Sequence, residues 1–170
     1  MLKKLIFKRI IAYFLDYLII MVYAVLLFGL TYTIYSLADI KLAPMPPLKG
    51  NIISFLTMTL PVFLYFYLLE SSKQKATLGK RKLKIYVESQ KGKRGIFIRT
   101  LFKIIPWEIA HIGIHWSVFY SEKGIEIPLW NWLILIIPQV IIIIYFITVV
   151  ISKGRSSLYD KIAKTSVEKT

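Results

Sequence analysis

The chain has no cysteine in its 170 residues. Disulfides, thiolate metal sites and cysteine nucleophiles are therefore excluded. Acidic residues are scarce, nine against 23 basic ones, and there are only two histidines. Any acid–base or metal chemistry must come from few groups. No serine, histidine and acid set is placed for nucleophilic catalysis. The His-Glu-x-x-His pattern of a metalloprotease is also missing. There is no internal repeat and no low-complexity tract.

What the chain has in quantity is apolar surface. It is 56% hydrophobic, with a mean hydropathy of +0.62. A soluble domain of this size is less apolar and alternates its patterns. Several runs are long enough for a hydrocarbon core, which takes about 20 residues. The expected fold is all-α: one compact polytopic transmembrane bundle of about four helices over 1–170, with a short cytoplasmic β-hairpin and an amphipathic tail. The beginning is basic like a signal peptide. Its apolar part is too long, Asp16 interrupts it, and no small-residue cleavage site follows, so it reads as a retained first membrane helix.

The net charge of +14 is unevenly spread. Residues 1–9 carry four basic side chains, 71–94 carry nine against Glu88 alone, and 152–170 carry five. The connections 37–50 and 121–128 carry two and one. The positive-inside rule then places both termini and the 71–94 loop on the cytoplasmic side of the cell membrane. Anionic lipid headgroups on that face are the expected partners, with a homo-oligomer as a further expectation. Nucleic acid is rejected, because the aromatics lie in apolar runs and not on a basic soluble face.

Four helices are expected, at 5–37, 52–70, 99–120 and 129–151. Aromatics such as Tyr13, Phe14 and Tyr17 read as interface anchors. The stretch 41–51, with three prolines and a glycine, reads as an external loop. Pro61 is the expected kink of the second helix. Within the basic loop 71–98, Leu83, Ile85 and Val87 alternate with polar residues, a strand pattern. Residues 90–95 read as a basic turn, and a hairpin would return through 96–98. Segment 99–120 is ambiguous. It crosses if loop and tail share a side; otherwise it lies at the surface, with three crossings and the tail outside. The tail 152–170 has a short amphipathic face at Leu158 and Ile162, then a strand at 165–169.

Two constellations carry candidate chemistry. Arg9 and Asp16 lie seven apart, about two turns, on nearly one helix face. An aspartate inside an apolar run costs roughly 2.5–3.5 kcal/mol at mid-helix on insertion scales, so it either serves a function or packs against a polar partner on another helix. Asp160 in the tail would meet Arg9 or the Gly79–Lys80–Arg81 turn, since a buried arginine needs a carboxylate. Glu108, His111 and His115 share a helix face, with Glu70 as a candidate fourth member of the set. Three readings stay open for that set: structural pairing of Glu108 with Arg99 or Lys103, a proton or cation path, and a divalent metal site. No other cofactor is expected.

The segment KRIIAYFLDYLII, with Arg9 and Asp16, resembles the start of the RDD family of small membrane proteins, named for an arginine and two aspartates. ATLGKRKLKIYV is similar to the family's block after the second helix and supplies Thr77, Gly79, Lys80 and Arg81. SSLYDKIAKTSV resembles its C-terminal signature and supplies Asp160 and Lys161. The PWEIAH block fits one branch of the family. The resemblance spans nearly the whole chain and implies an integral membrane protein with a transport or ion-exchange role for a cation or proton. A non-transporting scaffold or regulator is the rival, and a metal-dependent membrane enzyme a third class.

Overall fold

The computed structural model describes residues 3–40 and 45–170. Among them lie α1 (Lys3–Leu37), α2 (Pro47–Ser54), a π-helical turn (Phe55–Thr59), α3 (Leu60–Glu70), α4 (Leu78–Lys82), β1 (Ile85–Ser89), α5 (Gly92–Glu122), α6 (Leu129–Ile151), α7 (Leu158–Ala163) and β2 (Thr165–Lys169). Of the expected loop at 41–51, residues 41–44 lie outside the described residues.

Three helices are long and apolar enough to cross a membrane by length and composition: Leu5–Leu37, Pro47–Glu70 and Leu129–Ile151. Helix α5 has the length, 31 residues or about 46 Å at 1.5 Å per residue, but carries more polar side chains. It packs against α2, α3 and α6. The helices alternate in direction. At one end Arg9 of α1 and Arg99 of α5 meet Asp160, which follows α6, and Glu70 of α3 meets Arg99. At the other end His115 of α5 meets Ser54 of α2, and Ser117 meets Asn131 of α6.

The expected boundaries shift in three places. The second helix starts at Pro47, not at 52, because a proline at the first helical position gives up an N–H that has no partner there anyway. The third helix is α5, Gly92–Glu122 and not 99–120, while the fourth is α6, Leu129–Ile151, as expected. The hairpin is corrected: β1 pairs antiparallel with the tail strand β2, from Ile85↔Lys169 to Ser89↔Thr165, and residues 96–98 belong to α5. The buried positions Gly95, Ile96, Arg99 and Thr100 recur at helical spacing, which a returning strand would not show. Ile85 and Val167 close a small core with Leu5 and Ala12 of α1. A second core joins Ile20, Val62, Phe66 and Ile104 from α1, α3 and α5.

Each of two prolines frees a carbonyl four residues earlier, and a tyrosine from another helix fills it. Pro61 has no N–H for the Thr57 carbonyl. The helix opens into its π turn there, and the Tyr23 hydroxyl of α1 donates to Thr57 O. Pro106 leaves the Phe102 carbonyl free, and the Tyr145 hydroxyl of α6 donates to it at 2.8 Å. Thr31 and Thr33 turn their hydroxyls onto Leu27 O and Gly29 O, both at 2.8 Å. Such bonds are what a backbone needs where no water reaches it. The far half of α1 fits that medium: residues 21–40 include none that is buried, and Val25, Leu26 and Phe28 are 65%, 66% and 71% exposed. A face this apolar is unfavourable in water and ordinary against lipid.

Removing the Tyr145 hydroxyl orphans a carbonyl. Tyr145→Phe is expected to cost about 1–3 kcal/mol, read as a lower melting temperature in detergent. In a Pro106→Ala background the restored N–H satisfies Phe102 O, and the same substitution should then cost much less.

Candidate functional site

The site is a buried charge network where the bundle meets its polar cap of α4, α7 and the two-stranded sheet. Asp160 is its node. It lies in the first turn of α7 and forms a capping box with Ser157: its Oδ2 accepts from Ser157 N at 2.8 Å, and Ser157 Oγ accepts from Asp160 N at 3.4 Å. The same Oδ2 accepts from Arg9 Nη2 at 2.6 Å. Oδ1 accepts from Thr165 Oγ1 at 3.0 Å and meets Arg99 Nη1. One carboxylate thus ties α1, α5, α7 and β2 together. Arg9 also donates Nη1 to Gly154 O at 3.1 Å, the loop after α6.

Arg99 passes the network on. Its Nε donates to Glu70 Oε2 at 2.7 Å, and the other Glu70 oxygen accepts from Lys80 Nζ. All five side chains, Arg9, Asp160, Arg99, Glu70 and Lys80, are at most 1% exposed. Lys103, one turn beyond Arg99, brings a further ammonium. Its Nζ sits 3.0 Å from the Phe66 ring centre and 5.2 Å from that of Tyr13, buried and without a hydrogen-bond partner. Lys80 Nζ lies near the same two rings, at 6.0 and 5.8 Å. The network and its neighbour hold four cations against two carboxylates.

Two phenols complete it. Arg9 Nη2 donates to the Tyr13 and Tyr159 hydroxyls, each at 3.1 Å, and those hydroxyls hydrogen-bond to each other. Burial opposes ionisation of the Tyr159 phenol. The Arg9 and Arg99 guanidinia and the Lys103 ammonium overcome that and hold its pKa below the ordinary tyrosine value.

Asp16 forms a separate node about two turns beyond Arg9 in α1. Its Oδ2 accepts from Thr77 Oγ1 at 2.6 Å, and its Oδ1 from Gly79 N at 2.9 Å and Tyr65 OH at 2.7 Å. Thr77 also caps α4 through Lys80 N. The approach is close enough to require glycine at 79: a Cβ there would lie 2.3 Å from the Ala12 carbonyl oxygen. Arg81 braces the same turn, donating Nε to Ala76 O at 3.0 Å.

The RDD family model matches residues 4–164. The chain belongs to the RDD family. No curated protein and no solved structure matches it. Of the three residues in the RDD name, Arg9 and Asp160 form the buried pair, and Asp16 anchors the cap's first helix. RDD membership and the three apolar helices fit an integral membrane protein.

The second candidate set does not gather around one point. Glu108 accepts from Thr59 Oγ1 at 2.5 Å, beside the π turn, and pairs with neither Arg99 nor Lys103. His115 Nε2 bonds Ser54 Oγ at 3.1 Å. The His111 ring meets Trp107 edge to face, and its Nδ1 has no hydrogen-bond partner among the described residues. Glu70 belongs to the charge network instead. Among the described residues no group of three or more His, Asp or Glu is placed to hold a metal ion. The residues that sequence reasoning passed over are Tyr13, taken for an anchor, Tyr159, and Arg99 as a partner of Glu70 and not of Glu108. The legible signal was two cations four apart inside an apolar helix.

Two outcomes follow. Glu70→Gln leaves Lys80 without its counter-ion and Arg99 with Asp160 alone, and is expected to cost about 3–5 kcal/mol in detergent unfolding. For Tyr159 the folded pKa lies below the unfolded one, so its ionisation adds stability as pH rises from the folded pKa toward the unfolded value near 10. That contribution is lost as pH falls through the folded pKa. A phenolate absorption should therefore appear in the wild type before the free tyrosines ionise, and be missing in Tyr159→Phe.

Proposed function

We propose that this RDD protein exchanges ions across the cell membrane, with the network around Asp160 as the element that takes and releases a proton or small ion. The observation that carries the reading is the imbalance of that network, four basic side chains against two carboxylates out of water, with Lys103 Nζ lacking a hydrogen-bond partner among the described residues. A static clamp is most stable when its charges are matched. Unmatched ionisable groups inside a bundle mark ion pathways and proton relays. The Tyr13–Tyr159 hydroxyl pair offers one exchangeable proton between two oxygens beside Arg9.

The orientation proposed with it has four crossings, α1, α2 through α3, α5 and α6, and both termini on the cytoplasmic side. Its support is the concentration of basic residues at 1–9, 71–94 and 152–170 and the meeting of α1, α3, α5 and the tail at one end. Asp16 serves this reading by fixing the cap, since both its oxygens are occupied. A second reading, a lipid- or protein-binding scaffold, is favoured by one observation: Lys73, Lys82, Lys84, Lys91, Lys93 and Arg94 are all exposed on the cap.

Flux in proteoliposomes with an internal pH dye separates the two. Exchange predicts dye response to a sodium, potassium or chloride gradient, at least tenfold weaker in a folded Arg99→Lys variant and retained when the exposed cap lysines become glutamine. A scaffold predicts no response above empty vesicles with any of those gradients, and loss of binding to anionic vesicles in the glutamine variant.

A further inference from the structure

Beyond Arg99 on one face of α5, Lys103 Nζ, Trp107 Nε1 and His111 Nδ1 lack a hydrogen-bond partner among the described residues. Steps of four residues stack them along the helix. Lys103 and Trp107 also line a cavity of ≈ 30 Å³, whose other walls are Tyr17, Ile20, Val62, Phe66 and Ile104. That volume takes one water-sized body and no organic ion. Both of its unpartnered polar groups are pure donors, an ammonium and an indole N–H. The carboxylates nearby are taken: Glu70 by Lys80 and Arg99, Asp160 by Arg9 and Arg99.

An ammonium left among apolar and aromatic walls without a counter-ion is costly. A water would accept its hydrogen bond and leave the charge. A compact anion would do both. We propose that this cavity is a binding site for a small monovalent anion of chloride size, held by Lys103 Nζ and Trp107 Nε1. Its walls come from α1, α3 and α5, so an occupied site also braces the helices that carry Arg9, Glu70 and Arg99. The claim concerns equilibrium binding and stands whether or not the exchange reading does.

Bromide is the probe, because it is close to chloride in size and quenches the fluorescence of an indole it touches. Purified protein in detergent is titrated at constant ionic strength, with gluconate, too large for the cavity, as the balancing anion. The wild type should show a saturable loss of tryptophan emission that chloride competes away, and a melting temperature that rises with bromide, as for any ligand that binds only the folded state. Lys103→Met, which removes an unpaired charge and keeps the length, should raise the apparent dissociation constant at least tenfold and abolish the thermal shift. Lys103→Gln is the second variant, and Trp107→Phe should remove the saturable component of the emission. Quenching that is linear in the wild type and indifferent to chloride overturns the proposal, whatever the variants do. So does saturable quenching that survives in both Lys103 variants.

Discussion

The arrangement depends on the twofold use of the Asp160 carboxylate. Its two oxygens cap a helix, close onto a strand residue and neutralise guanidinia arriving from two different helices. An isolated arginine buried in this position would carry a desolvation cost of several kcal/mol. Neither Arg9 nor Arg99 can take its place unless the tail folds back over the bundle. The tail, in turn, has little apolar surface of its own, and it is held by these charges and by β2 pairing with β1. Removal of one partner unbalances the rest, because Glu70 and Lys80 are joined through Arg99 to the same node.

The apolar body obeys a different constraint. Water is absent from the lipid phase, so a proline cannot simply leave a carbonyl bare. In two places the helix geometry and a tyrosine from a neighbouring helix solve this together, Tyr23 at the π turn before Pro61 and Tyr145 at Pro106. These bonds also bind α1 to the second helix and α5 to α6, which matters where apolar side chains gain nothing by leaving lipid for each other. The threonines that face outward satisfy themselves on their own helix.

Ion pairing takes up most of the buried charges. Arg9, Asp160 and Glu70 are spent on mutual neutralisation and on positioning the cap. Lys103 is not, and it stands where the network faces the apolar interior, against Phe66 and Tyr13. The polar side chains Arg99 and Lys103 of α5 face α3, α1 and the cap.

Read alone, the chain determined a good deal. Uninterrupted apolar runs bounded by basic segments define α1 and α6, since length and hydropathy are local properties of consecutive residues. The strand alternation at Ile85 and Val87 and the family resemblance of the Arg9, Asp16 and Asp160 blocks were legible for the same reason. The start of α5 was not, because Gly92 and the basic residues after it look like a turn until Gly95, Ile96, Arg99 and Thr100 find buried partners. The metal-like spacing of Glu108, His111 and His115 put three groups on one face, but what each meets is set by the helix opposite, Thr59 for Glu108 and Ser54 for His115. Only the tertiary structure decided that β1 pairs with the tail, that Glu70 joins Lys80 and Arg99, and that Lys103 Nζ finds no hydrogen-bond partner among the described residues. Spacing along a helix tells which side chains share a face; the chemistry of a buried charge depends on what the other elements bring within about 3 Å of it, and that is settled by packing between residues far apart in the chain.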